Sequence, residues 1–104
     1  MKQLHEAELR GTVGNVRRDE IGIKKSLVVR FSLSVYNGID TYWFRIIASE
    51  DRGIDKDVLQ SISKGDTVFV TGRMGSMCFI DKEGVQRRIY EVVAKDVIKL
   101  DNKQ

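Results

Sequence analysis

Apolar and polar residues alternate along most of this chain, which indicates β-strands. In residues 27–36 and 39–48 about every second side chain is apolar, and Asn37 and Gly38 lie between the two runs. An Asn-Gly pair between alternating apolar residues is a strong hairpin signal, because both residues of a two-residue turn must tolerate positive φ. The pattern therefore predicts a tight hairpin that turns at Asn37 and Gly38.

The alternation also assigns side chains to the two faces of this hairpin, because successive side chains of a strand point to opposite faces. Four apolar residues of the first strand share the face that we expect to point into the core: Val29, Phe31, Leu33 and Val35. On the second strand Trp43 and Arg45 share the other face. An aromatic ring beside a cation suits single-stranded nucleic acid, since bases stack on the ring and phosphates pair with the charge.

The segment before this hairpin predicts another strand over residues 8–17. Gly11 and Gly14 interrupt it, and glycines inside a strand often mark a bulge or a bend of the kind that a small barrel needs. Residues 18–25 are charged around Gly22 and predict a loop.

The middle of the chain predicts one short helix over residues 56–63. Asp55 is a suitable N-cap, apolar residues follow at helical spacing, and Lys64 with Gly65 resembles a helix C-terminus. After it, residues 67–74 return to strand alternation.

The last part of the chain predicts a second hairpin and a short terminal strand. Alternation runs through residues 78–81 and 85–94, on either side of a turn at 81–84, and the terminal strand covers 97–100.

This order of elements predicts the fold. Three strands, one helix and two more strands give an all-β OB fold, a five-stranded Greek-key barrel with one short helix between strands 3 and 4. At 104 residues the chain is one domain, in which we expect 1–7 and 101–104 to be flexible ends.

Composition narrows the classes of protein. The chain is 41% hydrophobic and 32% charged, its formal net charge is +3, and no apolar run approaches the roughly 20 residues that span a membrane. The first residues lack an apolar signal core, so we expect a cytoplasmic protein with no membrane partner. The two ends of the chain are basic and the middle segment, residues 40–66, is acidic; this asymmetry is compatible with a polyanion on one face.

Catalytic chemistry finds little support in these residues. One histidine, His5, and one cysteine, Cys78, leave no acid–base or nucleophilic set, no cysteine-based zinc site and no disulfide. The glycines form no phosphate-binding loop. We therefore expect no enzyme activity, no metal and no cofactor, and we interpret Cys78 as a small strand residue.

Several stretches read together resemble the DNA-binding domain of bacterial single-stranded-DNA-binding proteins. The stretches are Leu9 to Gly14, Val29 to Val35, Thr41 to Ile47, Lys64 to Gly72, Asp81 to Gly84 and Glu91 to Ala94. The resemblance spans about residues 8–100 and depends on their order and spacing jointly. The length of the chain is also similar to that of the primosomal replication protein N family.

This resemblance implies roles for individual residues. Trp43 stacks on a base, Arg45 holds a phosphate, and Phe79 takes the place of a further stacking aromatic. By our alternation count Phe69 and Arg73 also point outward from the fourth strand. The remaining phosphate-contacting candidates are cations: Arg87, Arg88, Lys24 and Lys25.

Two departures from the family change what we expect. The long loop between strands 2 and 3 is reduced here to Asn37 and Gly38, which removes one stacking site. The sequence ends at Gln104 without the family's disordered tail and acidic tip, so we expect no recruitment of other replication proteins through such a tip. The expected partners are single-stranded DNA and further copies of the chain, as a tetramer or dimer.

Other interpretations stay open for these residues. Trp43 could lie at a subunit interface, Phe79 could pack on its own sheet, and Arg45 could form a cross-strand salt bridge. Arg87 and Arg88 point to opposite faces of a regular strand, so at most one should line a groove. Lys24 and Lys25 are equally consistent with solvated charges.

Two functions therefore remain. The first is non-enzymatic binding of single-stranded DNA with little sequence preference, in replication, recombination or repair. The alternative is an OB-fold assembly module of a primosome-like or mobile-element replication complex, with weak or no DNA binding.

Overall fold

A computed structural model describes residues 5–100, which are built mainly of β-strands. The elements in chain order are β1 (His5–Ile21), β2 (Ser26–Tyr36), β3 (Thr41–Ser49), a 3-10 turn (Glu50–Arg52), α1 (Lys56–Ser61), β4 (Thr67–Ile80) and β5 (Gln86–Leu100). The predicted order of three strands, one helix and two strands is confirmed.

The strands close into a barrel in the order β1-β2-β3-β5-β4. β1 makes closure possible because its first half pairs with β4 and its second half with β2, the exchange falling at Thr12. The register of β1 shifts between Val13 and Val16, so the predicted bulge lies at Gly14. β3 and β5 pair in parallel and complete the ring. The predicted OB fold is confirmed.

The barrel is filled by the apolar face of each strand and by Leu59 of α1. The predicted core face of β2 is confirmed, since Val29 and Leu33 are fully buried, Phe31 is buried and Val35 is half-buried. The other large, fully buried side chains come from every other strand and from the helical segment: Val13, Ile46, Leu59, Ile62, Val68, Val70 and Val92.

The β1–β2 hairpin is longer than the pattern predicted. β1 begins at His5, inside the segment expected to be a flexible end, and continues to Ile21. Residues 1–4 and 101–104, which were also predicted to be flexible ends, lie outside the described residues. The predicted loop over 18–25 is wrong, because residues 18–21 pair with β2 and only 22–25 form the turn. The side chains of residues 18–21 are exposed or half-buried, although the β2 residues opposite them are buried, and this charged stretch therefore resembles a loop in the sequence.

The β2–β3 connection also differs from the prediction. Tyr36 pairs with Thr41, so the loop has four residues instead of two, and β3 begins at Thr41. Within this loop only Gly38 adopts positive φ, at 100°. The side chain of Asn37 organises the loop, because its Oδ1 accepts hydrogen bonds from the backbone N–H groups of Ile39 and Asp40.

Helix α1 ends two residues before the predicted end. Asp55 is its N-cap as predicted, and its carboxylate accepts from the N–H of Asp57. Ile62 turns extended and enters the core. The Arg18 guanidinium donates to the carbonyls of Gln60 and Ile62, which satisfies acceptors that the helix end leaves free.

β4 and β5 are longer than predicted and form a projecting arm. β4 runs without interruption through the predicted gap at 75–77, and the predicted terminal strand is the end of β5. Among residues 5–100, residues 75–80 and 86–90 pair only with each other, because the pairing of β1 with β4 extends to Met74 and that of β3 with β5 begins at Glu91. We call residues 75–90 the β4–β5 arm.

Candidate nucleic-acid interface

An open groove crosses the outer surface of the barrel where β1, β2, β3 and β5 come together. Its volume is about 640 Å³. The residues that line it are Asn15, Val16, Arg17, Arg30, Phe31, Ser32, Trp43, Phe44, Arg45, Arg88, Ile89 and Glu91. The groove therefore combines aromatic side chains with four arginines and one carboxylate.

Trp43 lies in this groove with its side chain open to solvent. It is 60% exposed and pairs with Ser34 across the β2–β3 hairpin. A Cβ built on Gly14 would lie 3.3 Å from Trp43 Cζ3 and 2.4 Å from the Ser32 hydroxyl oxygen. The bulge glycine thus leaves room for the indole against the sheet while the rest of the ring stays available for stacking.

The groove is strongly cationic. Arg17, Arg30, Arg45 and Arg88 line it, against Glu91 as the carboxylate. Arg45 and Glu91 are Cα partners across β3 and β5, yet Arg45 forms no salt bridge among residues 5–100. The side chain of Arg45 is exposed and its charge is available to an anion.

Two of the groove arginines share one carboxylate at its edge. Asp19 Oδ2 lies 3.3 Å from Arg17 Nε and 3.3 Å from Arg30 Nη1. Arg17 and Arg30 are directly opposite each other on β1 and β2.

Three predicted site residues, Trp43, Arg45 and Arg88, come together in the groove. Arg87 does not line it. Its Nε donates to Asp81 Oδ2 at 2.9 Å.

Asp81 holds the turn at the tip of the arm. Its Oδ1 accepts from the backbone N–H groups of Glu83 and Val85, at 2.9 Å each. The hydrogen bond from Arg87, followed by that from the Val85 N–H, lowers the pKa of Asp81 below its ordinary value of 3.8. Gly84 completes the turn at φ 80°, so the predicted turn at 81–84 is confirmed.

The other aromatic candidates lie away from the groove. Phe79 is on the β4–β5 arm, 43% exposed and paired with Arg87. Phe69 is half-buried on β4, between Arg10 of β1 and Ile98 of β5 in the register of the sheet.

The remaining basic candidates are also separate from the groove. Arg73 pairs with Glu6 and Val93 on the part of β4 that faces β1. Lys24 and Lys25 form part of the exposed β1–β2 turn, where Lys25 has a positive φ of 53°.

The sequence reasoning missed two arginines that line the groove. Arg30 shares the outward face of β2 with Ser32, so alternation alone could have identified it. Arg17 was harder to assign, because the bulge at Gly14 changes the phase of β1 and the predicted strand ended at this residue.

Among residues 5–100, no helix is long and apolar enough to cross a membrane. The same residues contain no cluster of histidine, cysteine or carboxylate side chains suited to hold a metal ion. Cys78 is an exposed free thiol on the arm.

A closed OB-fold barrel with an exposed aromatic and with arginines on β2 and β3 defines a class of protein, the OB-fold nucleic-acid binders. The family model described as "Single-strand binding protein family" matches residues 7–100. The chain belongs to this family, whose members bind single-stranded DNA. The resemblance found in the sequence is thereby confirmed. No curated protein matches the sequence.

Solved structures of similar fold include single-stranded-DNA-binding proteins from three organisms. Mitochondrial Rim1 of S. cerevisiae superposes with a TM-score of 0.70 at 17% identity, covering 97% of this chain and 99% of Rim1. The small protein of Streptomyces coelicolor gives 0.71 at 16% identity, with 94% and 95% covered. The Plasmodium falciparum protein, solved in complex with single-stranded DNA, gives 0.64 at 22% identity, with 97% and 98% covered.

Proposed function

We propose that this protein binds single-stranded DNA along the groove, with little sequence preference and without catalysing a reaction. The observation that carries the proposal is that Trp43, 60% exposed, lies in one open groove with four arginines. Its membership of the single-strand binding family supports the same ligand.

The chemistry of the groove explains the weak sequence preference. An indole stacks on the face of any base, and each stacked base contributes about 1–3 kcal/mol in proteins of this kind. Arginines neutralise phosphates, which are identical at every nucleotide. We assign the stacking role to Trp43 and the phosphate contacts to Arg45 and Arg88, with Arg17 and Arg30 as further cations.

The β4–β5 arm provides a second region for the strand. Phe79 is exposed there and is our candidate for a second stacked base. Arg87 is held by Asp81, so its proposed role is to fix the turn that presents Phe79. Arg73, Phe69, Lys24 and Lys25 stay outside the proposed path.

We further propose that the protein acts as a homo-oligomer, a tetramer or a dimer, in replication, recombination or repair. The arm supports this assembly, because its side chains Ile80, Val85 and Tyr90 are 73%, 46% and 40% exposed. Apolar side chains grouped on a projecting hairpin are typical of protein contacts. Analytical ultracentrifugation of the wild type and of Ile80→Lys tests this assembly. We expect the variant to associate more weakly than the wild type, and a monomeric wild type would contradict the proposal.

We also propose a cytoplasmic location.

Titration with oligo-dT tests the DNA-binding proposal. Trp43 is the one tryptophan of the sequence, so quenching of its fluorescence reports on the groove directly. We expect strong quenching that weakens as salt is raised. Absence of quenching, together with absence of binding to a fluorescein-labelled oligonucleotide, would refute the proposal and favour the assembly module.

A matched pair of variants locates the site. Trp43→Ala should weaken binding of labelled oligo-dT by about 5- to 100-fold, because it removes one stacked base. Phe69→Ala removes an aromatic ring outside the groove and should leave the affinity nearly unchanged. Equal losses in both variants would place the site elsewhere on the barrel.

A further inference from the structure

Arg17 of β1 and Arg30 of β2 place two positive charges side by side on the surface of the groove. They are directly opposite in the register, and both line the groove. Like charges directly opposite on neighbouring strands repel each other. Two guanidinium groups held together on an open surface are therefore a site for an anion.

In the free protein this anion is the carboxylate of Asp19. A single oxygen, Oδ2, lies 3.3 Å from both Arg17 Nε and Arg30 Nη1. The side chains of Arg17, Arg30 and Asp19 are 78%, 40% and 36% exposed, so a ligand can reach all three from solvent.

The exposure of these groups makes the carboxylate replaceable. Ion pairs between exposed side chains contribute little to stability, because solvent screens them. A phosphate presents the same kind of oxygen to a guanidinium as a carboxylate does, and arginine binds both through parallel N–H donors.

We propose that Arg17 and Arg30 form a phosphate-binding subsite that Asp19 occupies until DNA arrives. A DNA phosphate displaces the carboxylate, so Asp19 lowers the affinity of the groove and limits its salt dependence. This inference rests on the proposed function for its natural ligand, a phosphate of single-stranded DNA. The opposite role for Asp19 would be to position the two arginines for DNA, and its removal would then weaken binding.

The variant Asp19→Asn tests the proposal against Glu20→Gln as its matched control. Glu20 is the next residue, is exposed, does not line the groove and loses the same charge on substitution. We expect Asp19→Asn to bind labelled oligo-dT about three- to tenfold more tightly at low salt, as the loss of two exposed ion pairs to one carboxylate implies. We expect the slope of log K against log[salt] to become steeper by up to about 0.7, the value that corresponds to one additional phosphate contact on a single strand.

Glu20→Gln should change the affinity by less than about twofold, since the Glu20 carboxylate is exposed and forms no ion pair with an arginine among residues 5–100. The gain in Asp19→Asn should disappear when Arg30 is also replaced by glutamine. An unchanged or weaker affinity of Asp19→Asn, or an equal gain in Glu20→Gln, would overturn the proposal. Thermal unfolding followed by circular dichroism establishes that each variant is folded.

A separate probe distinguishes failure of this inference from failure of the proposed function. Inorganic pyrophosphate is titrated into the wild type and Asp19→Asn, and the Nε–Hε signals of Arg17 and Arg30 are followed by ¹⁵N NMR. We expect both signals to shift, and to do so at lower pyrophosphate concentration in Asp19→Asn. If these signals shift while oligo-dT does not bind, the subsite stands and the DNA-binding proposal fails. If neither signal responds, the subsite is refuted even where oligo-dT binds elsewhere.

Discussion

Replacing Arg45 with glutamine should reduce the salt dependence of DNA binding by an amount that follows from the groove. Four arginines line the groove, and Arg45 forms no salt bridge among residues 5–100. For single strands the slope of log K against log[salt] is about −0.7 for each neutralised phosphate. In the proposed complex Arg45 and Arg88 each contact one phosphate, and Arg17 and Arg30 share a third. Three contacts give a slope of about −2.1, so the wild-type affinity should fall about 20-fold between 50 and 200 mM salt.

Loss of one contact in Arg45→Gln changes this slope to about −1.4, so that the same increase in salt lowers affinity only about 7-fold. Fluorescence anisotropy of labelled oligo-dT over a salt series measures both slopes. Arg10→Gln is the matched control, because Arg10 is exposed on the outer face of β1 and does not line the groove. A slope that Arg45→Gln leaves unchanged, or that Arg10→Gln reduces equally, would refute the assignment of phosphate contacts to the groove.

Three further predictions concern stability and the arm. Gly72→Ala should lower the free energy of unfolding, measured in urea, by about 1–3 kcal/mol, because the new Cβ would lie 2.3 Å from the backbone oxygen of Val93. An unchanged midpoint of urea unfolding would contradict this prediction. Leu59→Ala should lower the free energy of unfolding by about 2–5 kcal/mol in the same assay, because Leu59 is fully buried in the core. A loss below about 1 kcal/mol would mean that the helix contributes little to the core. Arg87→Gln should raise the pKa of Asp81 towards 3.8 in a carboxyl ¹³C titration, and a pKa that stays low would contradict the ion pair. Because the pKa of the folded form is lowered, the contribution of Asp81 to stability is present above pH 3.8 and is lost as pH falls through its folded pKa.

The elements that alternation identified are those with one face in the core. On β2, Val29 and Leu33 are fully buried, and the strand fell where the pattern placed it to within one residue. The pattern failed in residues 18–21, whose side chains are exposed or half-buried, and in the segment 75–77 between two predicted strands. In these segments pairing depends on backbone hydrogen bonds to the neighbouring strand, which leave no apolar period in the sequence.

Turn chemistry was predictable only in part. The turn at 81–84 follows from Asp81 and Gly84, whose side-chain acceptor and positive φ are local properties. At Asn37 and Gly38 the same type of signal gave the correct position but the wrong length. The Asn37 side chain satisfies two backbone donors of a longer loop, an alternative that an Asn-Gly pair also permits.

The sequence by itself determined the barrel, the family and the side-by-side placement of Trp43 and Arg45, because these depend on side-chain period and on the order of elements. Only the tertiary structure decided that Arg17 and Asp19 meet Arg30 beside them. Arg17 and Arg30 are 13 positions apart in sequence and meet because the bulge at Gly14 sets the register of β1 against β2. Register is a property of two paired strands, so no pattern within either strand could reveal that Asp19 lies between these arginines.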